Sequence, residues 1–153
     1  MKKIIIIDDN PTDRLILRGL LEDRGYEVLS EGSNGEDAVD LCRKTSPDAI
    51  IMDIRMPSKD GIEAAREIIA LPAAIPIVLV SGSQDISSVK RAAIAGAMAY
   101  LTKPVNEEEL FAAIELAIAR QGEFERLKKE NADLKTAIEA RKFIEKAKGL
   151  IMA

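Results

Sequence analysis

Five short apolar runs, separated by stretches of helical periodicity, restrict the fold of this chain more than any other feature. The runs fall at residues 4–7, 26–30, 48–53, 75–81 and 97–102. Strands that are apolar throughout, rather than alternating, are typical of parallel sheets covered by helices on both faces. The alternation therefore predicts an α/β domain over about residues 1–121, built as a doubly wound, five-stranded parallel sheet.

The last predicted helix is longer than such a sheet can cover. Asn106 is expected to cap it, with Glu109 as the partner in a capping box, and helix-forming residues then continue to about residue 150. A helix of that length extends roughly 65 Å at 1.5 Å per residue. Its second half must therefore pack against something other than the sheet.

A short heptad pattern lies in that second half. The core positions are Phe124, Leu127, Asn131, Leu134 and Ile138. Glutamates fill the g positions and lysines the e positions, and a single asparagine at an a position fits a two-stranded coil. The pattern predicts a coiled-coil segment over residues 122–140 and a parallel homodimer. The alternative is a solvated charged helix, because two heptads are a short repeat.

Composition narrows the chemistry that the chain can perform. It has 153 residues, no histidine and one cysteine, which excludes imidazole bases, phosphohistidine and an internal disulfide. Apolar neighbours predict that this cysteine, Cys42, is buried and unreactive. No run of eighteen uncharged apolar residues suggests a membrane span, so a soluble, cytoplasmic protein without membrane contact is expected.

Polar side chains follow four of the five predicted strands at the point where each strand ends. They are Asp8, Asp9, Asp53, Ser81 and Lys103. Each alone fits an ordinary turn or loop, but the carboxyl ends of parallel strands meet at one edge of a sheet, where ligands bind. Three neighbouring carboxylates repel one another unless a cation lies between them, and Mg²⁺ suits a site of few carboxylates. The sequence therefore predicts a magnesium site.

The segments IIIIDDNPTDR, DIRMPSKDG, VLVSGS and YLTKP resemble, in order and spacing, the motifs of response-regulator receiver domains. The resemblance covers about residues 1–121 and implies a flavodoxin-like fold in a two-component system. It makes Asp53 the acceptor of a phosphoryl group from a sensor histidine kinase. It also implies that Asp9, Asp53 and the backbone carbonyl of Arg55 bind Mg²⁺, with Asp8 acting through a metal-bound water.

The same resemblance assigns the residues that respond to phosphorylation. Lys103 would hold one phosphoryl oxygen and Ser81 another, while Tyr100 would change rotamer with Ser81. Arg55 and Ser83 occupy positions at which the family varies the lifetime of the phosphoryl group. New charge-assisted hydrogen bonds of about 1.5–3 kcal/mol each suffice to shift a two-state equilibrium.

A phosphohydrolase of the haloacid-dehalogenase type also uses an aspartate nucleophile on an α/β sheet. Those enzymes carry a D-x-D motif after the first strand, whereas this chain has Asp8-Asp9-Asn10-Pro11 and no cap insertion. A phosphoacceptor with at most slow self-phosphorylation and self-dephosphorylation is therefore expected, rather than an enzyme.

The last segment, residues 141–153, is similar to the start of ANTAR domains, RNA-binding antitermination outputs that follow some receivers. The matching pattern is R-x-x-I-E-x-A-K-G-x-x-M, from Arg141 to Met152. It covers only the first helix of such a domain, so we expect a truncated output. The full-length protein would bind RNA, and this chain weakly or not at all. The alternative is a stand-alone receiver with a dimerising tail and no nucleic-acid output.

Overall fold

Strands and helices alternate along the described chain, as the sequence predicts. The computed structural model describes the backbone of residues 1–82 and 86–152, and the side chains of residues 1–82, 86–138 and 141. The strands are β1 (Lys3–Ile7), β2 (Glu27–Gly32), β3 (Ala49–Asp53), β4 (Ile77–Ser81) and β5 (Ala99–Thr102). The helices are α1 (Pro11–Asp23), α2 (Gly35–Lys44), α3 (Gly61–Ile69), α4 (Ile86–Ile94) and α5 (Glu107–Met152).

The sheet is parallel throughout, in the order β2-β1-β3-β4-β5. This is the flavodoxin-like order, in which β2 lies on one side of β1 and the chain then crosses to the other side for β3, β4 and β5. The predicted doubly wound, five-stranded parallel sheet is therefore confirmed. The predicted strand limits are right to within two residues at each end, and shifts of two residues occur at the end of β2 and at the starts of β4 and β5.

Two apolar clusters sandwich the sheet, because successive strand residues point to opposite faces. Ile5, Ile50 and Leu79 belong to the cluster beneath α2, α3 and α4, whereas Ile6, Ile51 and Val80 belong to the one beneath α1 and α5. Cys42, from α2, is 2% exposed within the first cluster, as expected. Burial on both faces explains why these strands are apolar at every position.

Helix α5 begins where the capping residues predict. The side-chain oxygen of Asn106 accepts a hydrogen bond from the backbone N–H of Glu109 at 3.2 Å. By contacts between Cα atoms, the chain divides into two compact units, Met1–Gln121 and Gly122–Ala153. Among the described residues, no helix is both long and apolar enough to span a membrane.

Candidate functional site

The carboxyl edge of the sheet collects the polar residues that end its strands. Asp8 follows β1, Asp53 ends β3 and Ser81 ends β4, and all three are almost fully buried. Lys103 follows β5, and its backbone N–H donates to the carbonyl of Ser81 at 2.8 Å. The sheet order makes β1, β3, β4 and β5 consecutive neighbours, so these residues converge on one edge.

Three carboxylates stand together at this edge. One oxygen from each of Asp8, Asp9 and Asp53 lies within 4.8 Å of the other two. Asp9 is exposed while the other two are buried, so the group opens to solvent on one side. An all-oxygen set of this size that leaves coordination positions to water and phosphate fits Mg²⁺.

Lys103 binds two of these carboxylates and a third one outside the group. Its ammonium nitrogen lies 3.1 Å from Oδ2 of Asp8, 2.9 Å from Oδ2 of Asp53 and 3.0 Å from Oδ2 of Asp13. Burial by itself would lower the pKa of this ammonium, but the hydrogen bonds to Asp53, Asp13 and Asp8 raise it above its ordinary value. Lys103 is therefore a fixed positive charge at neutral pH.

Backbone N–H groups orient the remaining carboxylate oxygens. Oδ1 of Asp8 accepts from the N–H of Asn10 at 2.9 Å, and Oδ1 of Asp53 accepts from the N–H of Arg55 at 3.2 Å. Burial raises the pKa of Asp8 above its ordinary value, against the opposing effect of its bonds to Asn10 and Lys103. The two pKa directions are compatible because Lys103 has three acceptors and Asp8 is only one of them.

The loop after Asp53 is held by a close backbone contact. A Cβ atom added to Gly61 would lie 2.2 Å from the carbonyl oxygen of Asp53, a distance that no side chain tolerates. The N–H of Gly61 donates to the carbonyl of Ile54 at 2.8 Å, and Asp60 caps α3 by accepting from Glu63. Asp60 and Gly61 thus have a structural role, because they shape the loop after Asp53.

Three further residues were predicted to take part in the response to phosphorylation: Tyr100, Arg55 and Ser83. Tyr100 is half-buried on β5 and packs against the apolar cluster beneath α4. Arg55 lies beside Asp9 and Ser81 around one open surface recess. Ser83 lies outside the described residues.

Asp13 is the site residue that the sequence reasoning missed. It lies in the first turn of α1, where an acidic residue is ordinarily explained by the helix dipole. The available signal was the short distance along the chain from Asp9 to Asp13. Because α1 begins at Pro11, its first turn lies beside the carboxyl end of β1. Only the sheet order, however, brings Lys103 to the same place.

Comparisons with known proteins agree with this geometry. The model of the response regulator receiver domain family matches residues 4–115, which is well over half of the chain. The chain belongs to the response regulator receiver family. The predicted resemblance is thereby confirmed, and the protein carries the receiver domain of a two-component response regulator.

One of two curated relatives extends the likeness beyond the receiver. The transcriptional regulatory protein PdtaR of Mycobacterium tuberculosis is 42% identical over 150 residues, which is 98% of this chain and 73% of PdtaR. The protein PilH of Pseudomonas aeruginosa is 39% identical over 121 residues, covering 78% of this chain and 99% of PilH.

A solved structure of a similar receiver can be compared with the cluster of three carboxylates. The receiver domain of the sensor histidine kinase PA1611 from Pseudomonas aeruginosa superposes with a TM-score of 0.71 at 30% identity, covering 77% of this chain and 98% of that one. That structure has a magnesium ion coordinated in its active-site cleft. The three carboxylates of the present chain are of the kind that such an ion requires.

Proposed function

We propose that this receiver accepts a phosphoryl group on Asp53 from a sensor histidine kinase. The observation that carries the proposal is the position of Asp53, a buried carboxylate with Oδ2 2.9 Å from the Lys103 ammonium and with Asp8 and Asp9 beside it. A carboxylate oxygen attacks phosphorus, the P–N bond to the donor imidazole breaks, and the imidazole leaves with the electron pair. The product is an acyl phosphate.

Charge neutralisation is the main requirement of this transfer. Asp9, Asp53 and the backbone carbonyl of Arg55 would hold Mg²⁺, with Asp8 bound through a water. The ion would neutralise charge on the transferring group. Lys103 supplies the second cation, because its hydrogen bond to Asp53 Oδ2 passes to a phosphoryl oxygen once that carboxylate has become an acyl phosphate.

The surface next to the phosphoryl group would then change conformation in response to it. Ser81 donates a hydrogen bond to a second phosphoryl oxygen, and Tyr100 changes rotamer with it. Arg55 and Ser83 are the positions that set the lifetime of the acyl phosphate. We expect Ser81→Ala to be phosphorylated still but to lose the conformational change that follows phosphorylation.

Phosphorylation is tested by incubation with Mg²⁺ and acetyl phosphate, followed by intact-mass measurement. Slow addition of a single phosphoryl group is expected, and Asp53→Asn should lose it. Asp60→Asn is a matched control, since it changes an aspartate in the same loop whose structural role is to cap α3. Rapid release of phosphate over many turnovers would instead indicate a phosphohydrolase.

We further propose that the tail of the receiver forms a parallel two-stranded coiled coil. Phe124, Leu127, Leu134 and Ile138 are 46–61% exposed, although all are large and apolar. They recur at heptad spacing, and their burial against a second copy would remove a continuous apolar stripe from water. Asn131 lies at an a position between them.

Sedimentation equilibrium tests the dimer. Leu127→Ala should weaken association about tenfold or more, whereas Lys129→Ala, on the outer face two residues further on, should not. Repeating the measurement with beryllofluoride, a phosphoryl analogue, tests whether phosphorylation at Asp53 alters dimerisation. A strictly monomeric wild type would refute the coiled coil.

The output that we propose is ANTAR-type RNA binding that controls transcription antitermination. Support comes from the pattern in residues 141–153 and from the likeness of nearly the whole chain to a protein named as a transcriptional regulator. The side chains of residues 142–153 lie outside those that the structure describes. A stand-alone, cytoplasmic receiver with a dimerising tail and no nucleic-acid output is the alternative.

A measurement of RNA binding distinguishes the ANTAR-type output from the stand-alone receiver. We expect weak or no binding by this 153-residue chain, and selective binding by the corresponding protein with a complete ANTAR domain. Tight, sequence-selective binding by the present chain in an electrophoretic mobility assay would contradict the first expectation. Lack of selective binding by the longer protein would favour the stand-alone receiver.

A further inference from the structure

Asp13 has no part in the phosphoacceptor chemistry described above, yet it takes one of the bonds that this chemistry needs. A lysine ammonium has three N–H donors, and Lys103 gives one to each of three carboxylates, those of Asp8, Asp13 and Asp53. An incoming phosphoryl oxygen must therefore share the ammonium with acceptors already in place.

The three acceptors differ in what phosphorylation does to them. Asp53 Oδ2 becomes a weaker acceptor when the carboxylate becomes an acyl phosphate. The Lys103 N–H that it accepts then passes to the phosphoryl group. Asp13 is not altered chemically by the transfer, and in the unphosphorylated structure its Oδ2 lies 3.0 Å from the ammonium. Because both oxygens contact one nitrogen, Asp13 Oδ2 lies at most about 6 Å from Asp53 Oδ2, close enough for direct charge interaction.

The surroundings keep this interaction from being fully screened. The side chains of Asp13 and Lys103 are 35% and 27% exposed. They line one small recess together with apolar residues that include Ile16, Leu17 and Val105. Partial removal of water strengthens the attraction between Asp13 and Lys103, and equally the repulsion between Asp13 and a phosphoryl dianion.

We propose that Asp13 is a positioning residue that anchors Lys103 on the side of α1 and competes with the phosphoryl group for its positive charge. This role rests on the proposed phosphoacceptor function. It lowers the apparent affinity of the site for phosphoryl donors, and so raises the donor concentration at which the receiver switches, without changing the attacking group.

Asp13→Asn separates charge from position, because the amide oxygen still accepts a hydrogen bond from Lys103. With Mg²⁺ held at saturation, the concentration of beryllofluoride that half-saturates this variant should fall about three- to tenfold relative to wild type. The half-saturating concentration of acetyl phosphate should fall by a similar factor, while the maximal phosphorylation rate stays within about twofold. Binding is followed by ¹⁹F NMR and phosphorylation by intact mass.

Two variants complete the design. Asp13→Glu keeps the charge within reach of Lys103 and should restore half-saturation to the wild-type value. Asp23→Asn removes the same charge from the other end of α1, about 15 Å away along the helix, which exceeds the Debye length at physiological salt. It should behave as wild type. Thermal unfolding of each variant shows whether the change acts on stability instead.

Three results would overturn the role of Asp13: an unchanged half-saturation in Asp13→Asn, a weaker binding, or an equal shift in Asp23→Asn. A lower melting temperature with unchanged half-saturation would reduce Asp13 to a helix-stabilising residue. Wild-type protein that neither binds beryllofluoride nor is phosphorylated would overturn the phosphoacceptor function as well, so the two failures are distinguishable.

Discussion

Both parts of helix α5 carry large apolar side chains, but these side chains differ in exposure between the two parts. Before Gln121, Leu110 and Ile114 are fully buried against the sheet. After Gly122, Leu127 and Leu134 are at least half exposed. The secondary structure is the same in both parts, so helix formation alone does not decide which apolar residues are buried.

The difference shows how one helix serves two purposes. In the receiver unit the apolar residues of α5 complete a core and stabilise the fold by removing area from water. In the second unit the apolar residues are available to another surface, which we propose is a second copy of the chain. One carboxyl group from each unit shows a similar contrast. Asp8 of the receiver is buried and has a raised pKa. Glu123 of the second unit is fully exposed, and its pKa is lowered because Arg126 binds it.

The largest expected effect comes from truncating one apolar residue in each part. Ile114→Ala should reduce the free energy of unfolding by about 2–5 kcal/mol, because it leaves a cavity in the core. Leu127→Ala should change it by less than about 0.5 kcal/mol in dilute solution, since the side chain is half exposed. Urea unfolding at several protein concentrations checks both values. A large effect of Leu127→Ala that is independent of concentration would break the comparison.

Two glycines provide a second matched pair. Gly61→Ala should destabilise the protein by about 1–3 kcal/mol, because the new methyl group meets the carbonyl of Asp53. Gly122→Ala should stabilise it by roughly 0.5–1 kcal/mol, because Gly122 lies within α5 with no atom near its added Cβ. Thermal unfolding measures both shifts, and equal signs would contradict the structure at one of these positions.

Asp8 predicts a pH dependence that belongs to the receiver unit alone. Because its pKa is higher in the folded chain than in the unfolded chain, its ionisation opposes folding. This penalty is absent well below pH 3.8, the ordinary value, and grows as the pH rises through the folded-state pKa. Without Mg²⁺, Asp8→Asn should therefore raise the melting temperature at neutral pH by about 2–4 °C.

The comparison variant is Glu123→Gln, which alters a fully exposed carboxyl. Its melting temperature should match wild type in moderate salt, since exposed ion pairs contribute little. The advantage of Asp8→Asn should shrink as the pH falls toward 3.8. An advantage that instead increases on acidification would show that the sign assigned to Asp8 is wrong.

The rate of reaction of a thiol reports directly on its burial, and this test perturbs stability least. Cys42 is 2% exposed, and burial raises the pKa of its thiol to about 12. It should react with a thiol reagent more than about a hundredfold more slowly in folded than in unfolded protein. The added thiol of Leu127→Cys should react rapidly in the monomer and form an intermolecular disulfide in a parallel coil. Fast reaction of native Cys42 would contradict the buried position.

Much of the receiver could be predicted from the sequence because its signals are local. Apolar runs at 48–53 and 75–81 predicted central strands, since only a strand covered on both faces is apolar throughout. Asp8 and Asp53 were predicted to meet because both stand at the carboxyl ends of strands in one parallel sheet. Asn106 marked the start of α5 by an oxygen placed to accept the N–H of Glu109.

Asp13 could not be found in the same way. Its residue type and its place in the first turn of α1 are accounted for by the helix dipole, so its nearness to Asp9 in the sequence does not by itself mark it as a site residue. Its contact with Lys103 joins residues 90 positions apart and depends on how α1 sits over the carboxyl ends of β1 and β5. The close approach of Gly61 to the Asp53 carbonyl has the same origin in three-dimensional packing.

The sequence by itself determined the class of fold and the edge of the sheet at which the polar strand-end residues meet, and its resemblance to receiver domains supplied the phosphoacceptor candidate. Periodicity and strand-end position depend on neighbouring residues, so they can be read along the chain. Tertiary structure alone decided how the Lys103 ammonium divides its three hydrogen bonds and which half of α5 is buried. Both depend on distances between residues far apart in the chain, and those distances are fixed only when the sheet and its helices pack together.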